Sequence, residues 1–169
     1  MSSDGRAARE ALVREHMDSE NRHEFDATLA TFQHPRYELV ATDEVYDGTE
    51  EMEHYFEETR RAFPDQRNEL LALHHADDAV LVEAVVRGTH KGPLRNLPPT
   101  GREFELPILA IFVFEGDKLV CERVYFDQST VLRQLGIARD PSSLTGRLET
   151  LVGHPLTIGR GLIRRVIGR

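Results

Sequence analysis

A chain of 169 residues with 40 % hydrophobic and 30 % charged residues has the length and balance of a single globular domain. It holds no apolar run near the roughly 20 residues needed to span a bilayer, and a net charge of −8 repels nucleic acid over most of the surface, because binding there depends on Lys and Arg releasing counterions. Residues 1–14 lack the apolar stretch of a signal peptide, and the single cysteine, Cys121, can form no internal disulfide, so a cytoplasmic setting is expected.

Residues 6–32 read as helix. Ala8, Leu12, Met17 and Phe25 mark an apolar stripe, and the polar stretch 18–23 breaks it into two shorter helices. Residues 37–41 read as a short strand, entered through Pro35 and closed by a turn over 43–48. Met52, Tyr55, Phe56 and Thr59 then fall at helical spacing, with Thr49 as N-cap and Pro64 as the stop. From residue 66 the period changes to two, giving strands over 69–75, 79–90, 103–115 and 118–128.

Short turns between those strands predict an antiparallel meander, and helices followed by strands predict an α+β fold with the helices on one face. In 103–115, Phe104, Leu106, Ile108, Ala110, Phe112 and Phe114 point one way and Leu109, Ile111 and Val113 the other. Both faces therefore call for cover, one from the helices and one from a second subunit. Residues 1–140 form the body and 141–169 a basic tail carrying +4 against −12 for the rest. In the tail, Leu156, Ile163, Val166 and Ile167 oppose Arg160 and Arg164 at helical spacing, an arrangement able to lie on an anionic membrane. Gly159, Gly161 and Gly168 weaken that helix, which favours docking on the body or on a dimer partner.

Four segments occur in one order: Gly88-Thr89-His90-Lys91-Gly92, Leu97-Pro98-Pro99-Thr100-Gly101-Arg102, Phe114-Glu115-Gly116-Asp117-Lys118-Leu119-Val120, and Tyr125-Phe126-Asp127 followed by Gln134-Leu135-Gly136. Together they resemble the SnoaL-like branch of the NTF2-like superfamily, the polyketide or ester cyclases, over roughly residues 8–137. The resemblance implies an NTF2-like cone, in which a curved antiparallel sheet wraps around N-terminal helices and encloses a central apolar pocket. It also implies a homodimer packed through the sheets, with neither metal nor organic cofactor. The scaffold hosts several chemistries and some binding proteins without any, so it does not settle activity.

The residues that could carry chemistry cluster on two strands. Asp127 matches the position at which the family's cyclases place a general acid/base, a role that needs an apolar wall to raise the carboxyl pKa. Its alternative reading is a cap for the helix that begins at Ser129. His90 ends the row Val80, Val82, Ala84, Val86, Gly88 and could polarise a carbonyl, or serve as a hydrogen-bonded structural histidine. Tyr125 shares a face with Asp127 and could orient a substrate oxygen. Tyr55 and Phe112 are further expected substrate contacts. The ring-closing cyclases tend to carry His-Trp where this chain has Glu122-Arg123, which disfavours a polyaromatic substrate. Arg123 either faces inward to meet a substrate anion or lower the Asp127 pKa, or faces solvent if a bulge flips the strand. His74 and His75 sit beside Asp77 and Asp78, but neighbours on a strand point apart, so no metal site is expected.

The expectation is a protein that binds a small apolar molecule, as a cofactor-independent cyclase, isomerase or hydrolase. The alternatives are a non-catalytic binding module and a structural dimer whose cavity is filled by its own side chains.

Overall fold

The computed structural model describes residues 3–140 and 142–153. In chain order these residues form α1 (Ser3–Arg22), α2 (Phe25–Ala30), β1 (Arg36–Leu39), β2 (Glu44–Asp47), α3 (Thr49–Ala62), β3 (Arg67–His75), β4 (Ala79–Thr89), β5 (Glu103–Glu115), β6 (Lys118–Phe126), α4 (Gln128–Gln134) and α5 (Leu144–Gly153). The helical stretch breaks where expected, at His23, whose φ of 61° ends α1. Of the stripe read from the sequence, Met17 is buried and Leu12 and Phe25 pack against the core, but the buried face also takes in polar residues that the reading left out. Arg9, Val13, His16, Met17 and Glu20 face inward, while Ala8 is exposed. Two more local readings need correction. Residues 44–47, read as part of a turn, are the strand β2, and α3 starts from Gly48 (φ 92°) rather than Thr49, with Glu51 reaching back to accept the Asp47 N–H at 2.8 Å.

Six strands make one curved, unclosed sheet in the order β2-β1-β6-β5-β4-β3. β3 to β6 form the expected meander, but β1 lies parallel to β6, pairing Tyr37 with Glu122 and Leu39 with Val124, so the sheet is mixed rather than wholly antiparallel. The thirteen-residue β5 alternates as read: Phe104, Leu106, Ala110, Phe112 and Phe114 are buried on the concave side. Pro107 lies beyond the last residue of β5 paired with β6, Ile108 against Phe126, so its missing N–H takes no bond from that pairing. Two residues earlier the Gln134 side chain of α4 stands in for a strand, bonding Glu105 N–H at 2.7 Å and Glu105 C=O at 2.9 Å.

The concave face and α1 to α3 close the main core around Val13, Met17, Met52, Phe56, Val80, Val82 and Phe112, with Phe25 stacked on Phe56 at 4.7 Å. A smaller core of Phe63, Phe104, Leu106 and Leu135 fixes α4. No described helix is long and apolar enough to cross a membrane. The tail helix expected from Leu156, Ile163, Val166 and Ile167 lies outside the described residues. Within the described part of the tail, Leu144, Leu148 and Val152 of α5 are exposed.

Candidate functional site

The two cores leave a cavity of about 460 Å³ between the sheet, α3 and α4. Its walls are largely aromatic and aliphatic: Tyr37, Tyr46, Tyr55, Phe63, Phe104 and Phe126, with Leu106, Ile108 and Val124. Leu94, Arg95, Asn96 and Leu97 form part of its rim. Two backbone bonds from the N–H groups of Lys91 and Gly92 to Ala62 C=O stitch that loop to the end of α3. Arg95, itself at φ 52°, pairs with Glu44 and anchors the rim to β2.

What faces into the cavity is decided by a bulge in β6. Val113 pairs with Cys121 but the next residue, Phe114, pairs with Leu119, so Val120 has no partner of its own. One extra residue exchanges the two faces of the rest of the strand. Leu119 still points into the core, and from Cys121 onward the parity is reversed: Glu122, Val124 and Phe126 point inward and Arg123 and Tyr125 outward.

Most of the expected site therefore moves. Arg123 sits on the convex face in an ion pair with Glu38 at 2.6 Å, and Tyr125 is 40 % exposed beside Leu109. Asp127 does not meet an apolar wall. Its side chain is 59 % exposed and caps α4, accepting from Ser129 N–H at 2.9 Å and Thr130 Oγ1 at 2.6 Å. Those bonds to Ser129 and Thr130 hold its carboxyl well below the ordinary value of 3.8. His90 is fully buried, but packs against the cavity residue Phe63 rather than lining the cavity itself. Its Nδ1 accepts from Thr100 N–H at 3.2 Å, its backbone bonds Gly101 and Arg102, and burial lowers its affinity for a proton. It closes the base of the loop. Phe112 lies in the main core against His16 at 5.3 Å, and among the expected contacts Tyr55 does line the cavity.

In their place the fold assembles a buried polar cluster from distant segments. Glu20 of α1 and Glu122 of β6 both line the cavity, at 9 % and 5 % exposure. Burial first, and the neighbouring Glu122 charge second, push the Glu20 carboxyl up to about 7. Asn68 Nδ2 donates to Glu20 Oε2 at 2.9 Å, and Arg60 of α3 donates to the Glu20 carbonyl at 2.7 Å. Behind Glu122, His16 Nε2 lies 3.1 Å from Glu122 Oε2 and 3.2 Å from the Tyr37 hydroxyl. The Tyr37 phenol is held far above its ordinary range, by burial first and then by the charges of Glu122 and Glu20.

The sequence carries one signal for this cluster. His16 and Glu20 share a helical face with Val13 and Met17, at spacings of three and four, so two polar residues sit on a buried stripe. Histidines at 74 and 75 do diverge: His74 pairs with Glu83 and His75 with Glu10. Among the described residues no group of three or more His, Cys, Asp or Glu converges as a metal site would require.

The model of the SnoaL-like polyketide cyclase family matches residues 10–135. Among solved structures, a protein from Jannaschia described as a SnoaL-like polyketide cyclase superposes with a TM-score of 0.70 at 18 % identity, covering 79 % of this chain and 94 % of its own. AclR from Streptomyces galilaeus, described as a hydroxylase, gives 0.68 at 22 % identity, covering 79 % and 98 %. IdmH from Streptomyces antibioticus, described as a polyketide cyclase, gives 0.65 at 23 % identity, covering 76 % and 98 %. At such identities the structures establish the shared fold. No curated protein matches the chain.

Proposed function

This chain belongs to the SnoaL-like polyketide cyclase family, and from that premise we propose that it binds a small, largely apolar carbonyl compound and moves a proton on it, with Glu20 as general acid/base. The observation that supports the reading is Glu20 itself: a carboxyl group lining a cavity walled by aromatic residues, its affinity for a proton raised to about 7. A group poised near neutrality can take a proton from the carbon beside a carbonyl and return it elsewhere, which is the step shared by ring closure and double-bond isomerisation. Tyr55, on the same cavity, would orient the substrate oxygen, and a volume of about 460 Å³ suits a bicyclic to tricyclic body.

The test uses 2-tetralone, a compact apolar ketone, in D₂O. Protein-dependent deuterium entry at its α-carbon, lost in Glu20→Gln while the ketone still binds, is expected. Exchange that survives the substitution would remove Glu20 from the reaction. Binding without exchange in the unmodified protein would favour the ligand-holding alternative. The resemblance also carries the proposal of a homodimer across the convex sheet face, where Leu109, Ile111 and Val113 are half-buried and Tyr125 exposed. Light scattering should then return twice the 19.2 kDa chain mass, and a monomer would refute it.

A further inference from the structure

We propose that the cavity takes a cation: the apolar ketone it binds also carries a protonated amine, whose ammonium seats against Glu122 among the rings of Tyr37 and Tyr55. The ketone rests on the reading of Glu20 as acid/base; the ammonium rests on what lines the cavity.

The charges of that lining are one-sided. Glu20, Glu44, Glu58 and Glu122 contribute four carboxyl groups, and among the described residues lining the cavity Arg95 is the one cationic side chain, already paired with Glu44. Arg60, behind Glu20, directs its guanidinium at the backbone carbonyls of Gln66 at 2.9 Å and Glu20 at 2.7 Å. The acceptors also lack donors. Glu44 Oε2, Asn68 Oδ1 and Glu122 Oε2 are buried oxygens without a hydrogen-bond partner among the described residues, and all three belong to residues that line the cavity. Buried oxygens are satisfied in nearly all folded proteins, so three around one cavity point to donors brought by a guest.

Glu122, at 5 % exposure, is the deepest of them. His16 Nε2 lies 3.1 Å from its Oε2 but is engaged elsewhere. The Thr31 hydroxyl gives its hydrogen to Thr28 C=O at 2.6 Å, so His16 Nδ1 donates to Thr31 at 2.8 Å and Nε2 accepts from the Tyr37 hydroxyl at 3.2 Å. A neutral ring satisfies all of those bonds and offers Oε2 no hydrogen. An alcohol could bring a donor, but only a cation also relieves the repulsion between the Glu122 and Glu20 carboxyl groups in a dry chamber. The aromatic wall suits the same guest. Tyr37 and Tyr55 lie 5.7 Å apart and Tyr55 and Tyr46 4.8 Å, a row of rings whose π-systems attract an ammonium. A metal ion would need converging ligands, which the described residues do not supply, so the cation is organic. Burial, the larger cause of the raised Glu20 carboxyl, persists with the ammonium in place, and the acid/base reading of Glu20 stands beside it.

Calorimetric titration at about pH 7.5, where an alkyl amine is protonated, compares three guests on one bicyclic frame: 2-aminotetralin, 2-tetralol and tetralin-2-carboxylate. The ammonium should bind about tenfold or more tighter than the alcohol, and the carboxylate weakest of the three. An alcohol that matches the ammonium, or a carboxylate that equals either, overturns the proposal, as does an ammonium that fails to bind. In Glu122→Gln, which keeps the shape of the side chain and gives up its charge, the preference for ammonium over alcohol should shrink to below about threefold. A preference that survives there overturns the seat at Glu122. Should that variant not fold, the ranking in the unmodified protein decides. None of the three guests carries a carbonyl, so the two readings fail separately: exchange of 2-tetralone without an ammonium preference overturns this inference alone, and the preference without exchange overturns the acid/base reading alone.

Discussion

The buried cluster and the end of β6 treat a carboxyl group in opposite ways. Glu20 lies where burial and a neighbouring Glu122 charge make ionisation costly, and its proton is held up to about 7. Asp127 sits in water under the hydrogen bonds of Ser129 and Thr130, and its proton leaves below the ordinary range. The contrast teaches that a carboxyl group's hold on its proton here follows from whether its side chain enters the apolar cavity on the concave side of the sheet or stays in water.

The sharpest way to break that contrast is to neutralise each acid in turn. Glu20→Gln should lower protein-dependent α-carbon exchange by a factor of roughly 10² or more, the usual scale for a positioned acid/base. Asp127→Asn should change it less than about threefold, because the capping carboxyl makes no approach to the cavity. A reversal of those two results would return catalysis to the strand end.

Stability against pH separates the two regions by sign. A carboxyl group whose pKa rises on folding, as for Glu20 from 4.5 to about 7, favours the folded state while protonated. That contribution is whole below about pH 4.5 and is lost as pH climbs through about 7, an effect of about 3 kcal/mol. Urea unfolding should therefore show the native protein losing stability relative to Glu20→Gln between those limits, and parallel curves would refute the burial argument. Asp127 works the other way: its lowered pKa gives stability that is present above its ordinary 3.8 and lost as pH falls below it.

Smaller effects sharpen the comparison. Asp127→Asn keeps a capping oxygen but loses the charge at the start of α4, and a fall in Tm of about a few degrees is expected by calorimetry. Arg123→Ala removes an outward ion pair with Glu38 and should shift stability by less than about 1 kcal/mol, with 2-tetralone affinity unchanged. A large loss of affinity would place Arg123 inside after all.

The period of the apolar residues was enough to read β5, α3, the break in the first helix and the α+β order, because those patterns are local and each face repeats on its own strand or helix. Motifs in β4 to α4 were enough for the family. The site was not legible in the same way. Alternation counted from Leu119 puts Arg123, Tyr125 and Asp127 inside, and the fold puts them outside because pairing with β5 leaves Val120 over. Nothing at Val120 marks the bulge, since it is settled by a partner strand rather than by the residue. His16 and Glu20 share a helical face with Val13 and Met17, but that spacing does not say what they meet. Only the docking of α1 over the concave face of the sheet, against β3 and β4, lets the His16 side chain reach Glu122 and Tyr37 and brings Glu20 to the same cavity. What the chain determined by itself was thus the set of elements and their apolar faces; tertiary structure decided which charges those faces enclose, because a single unpaired residue exchanges the two sides of a strand.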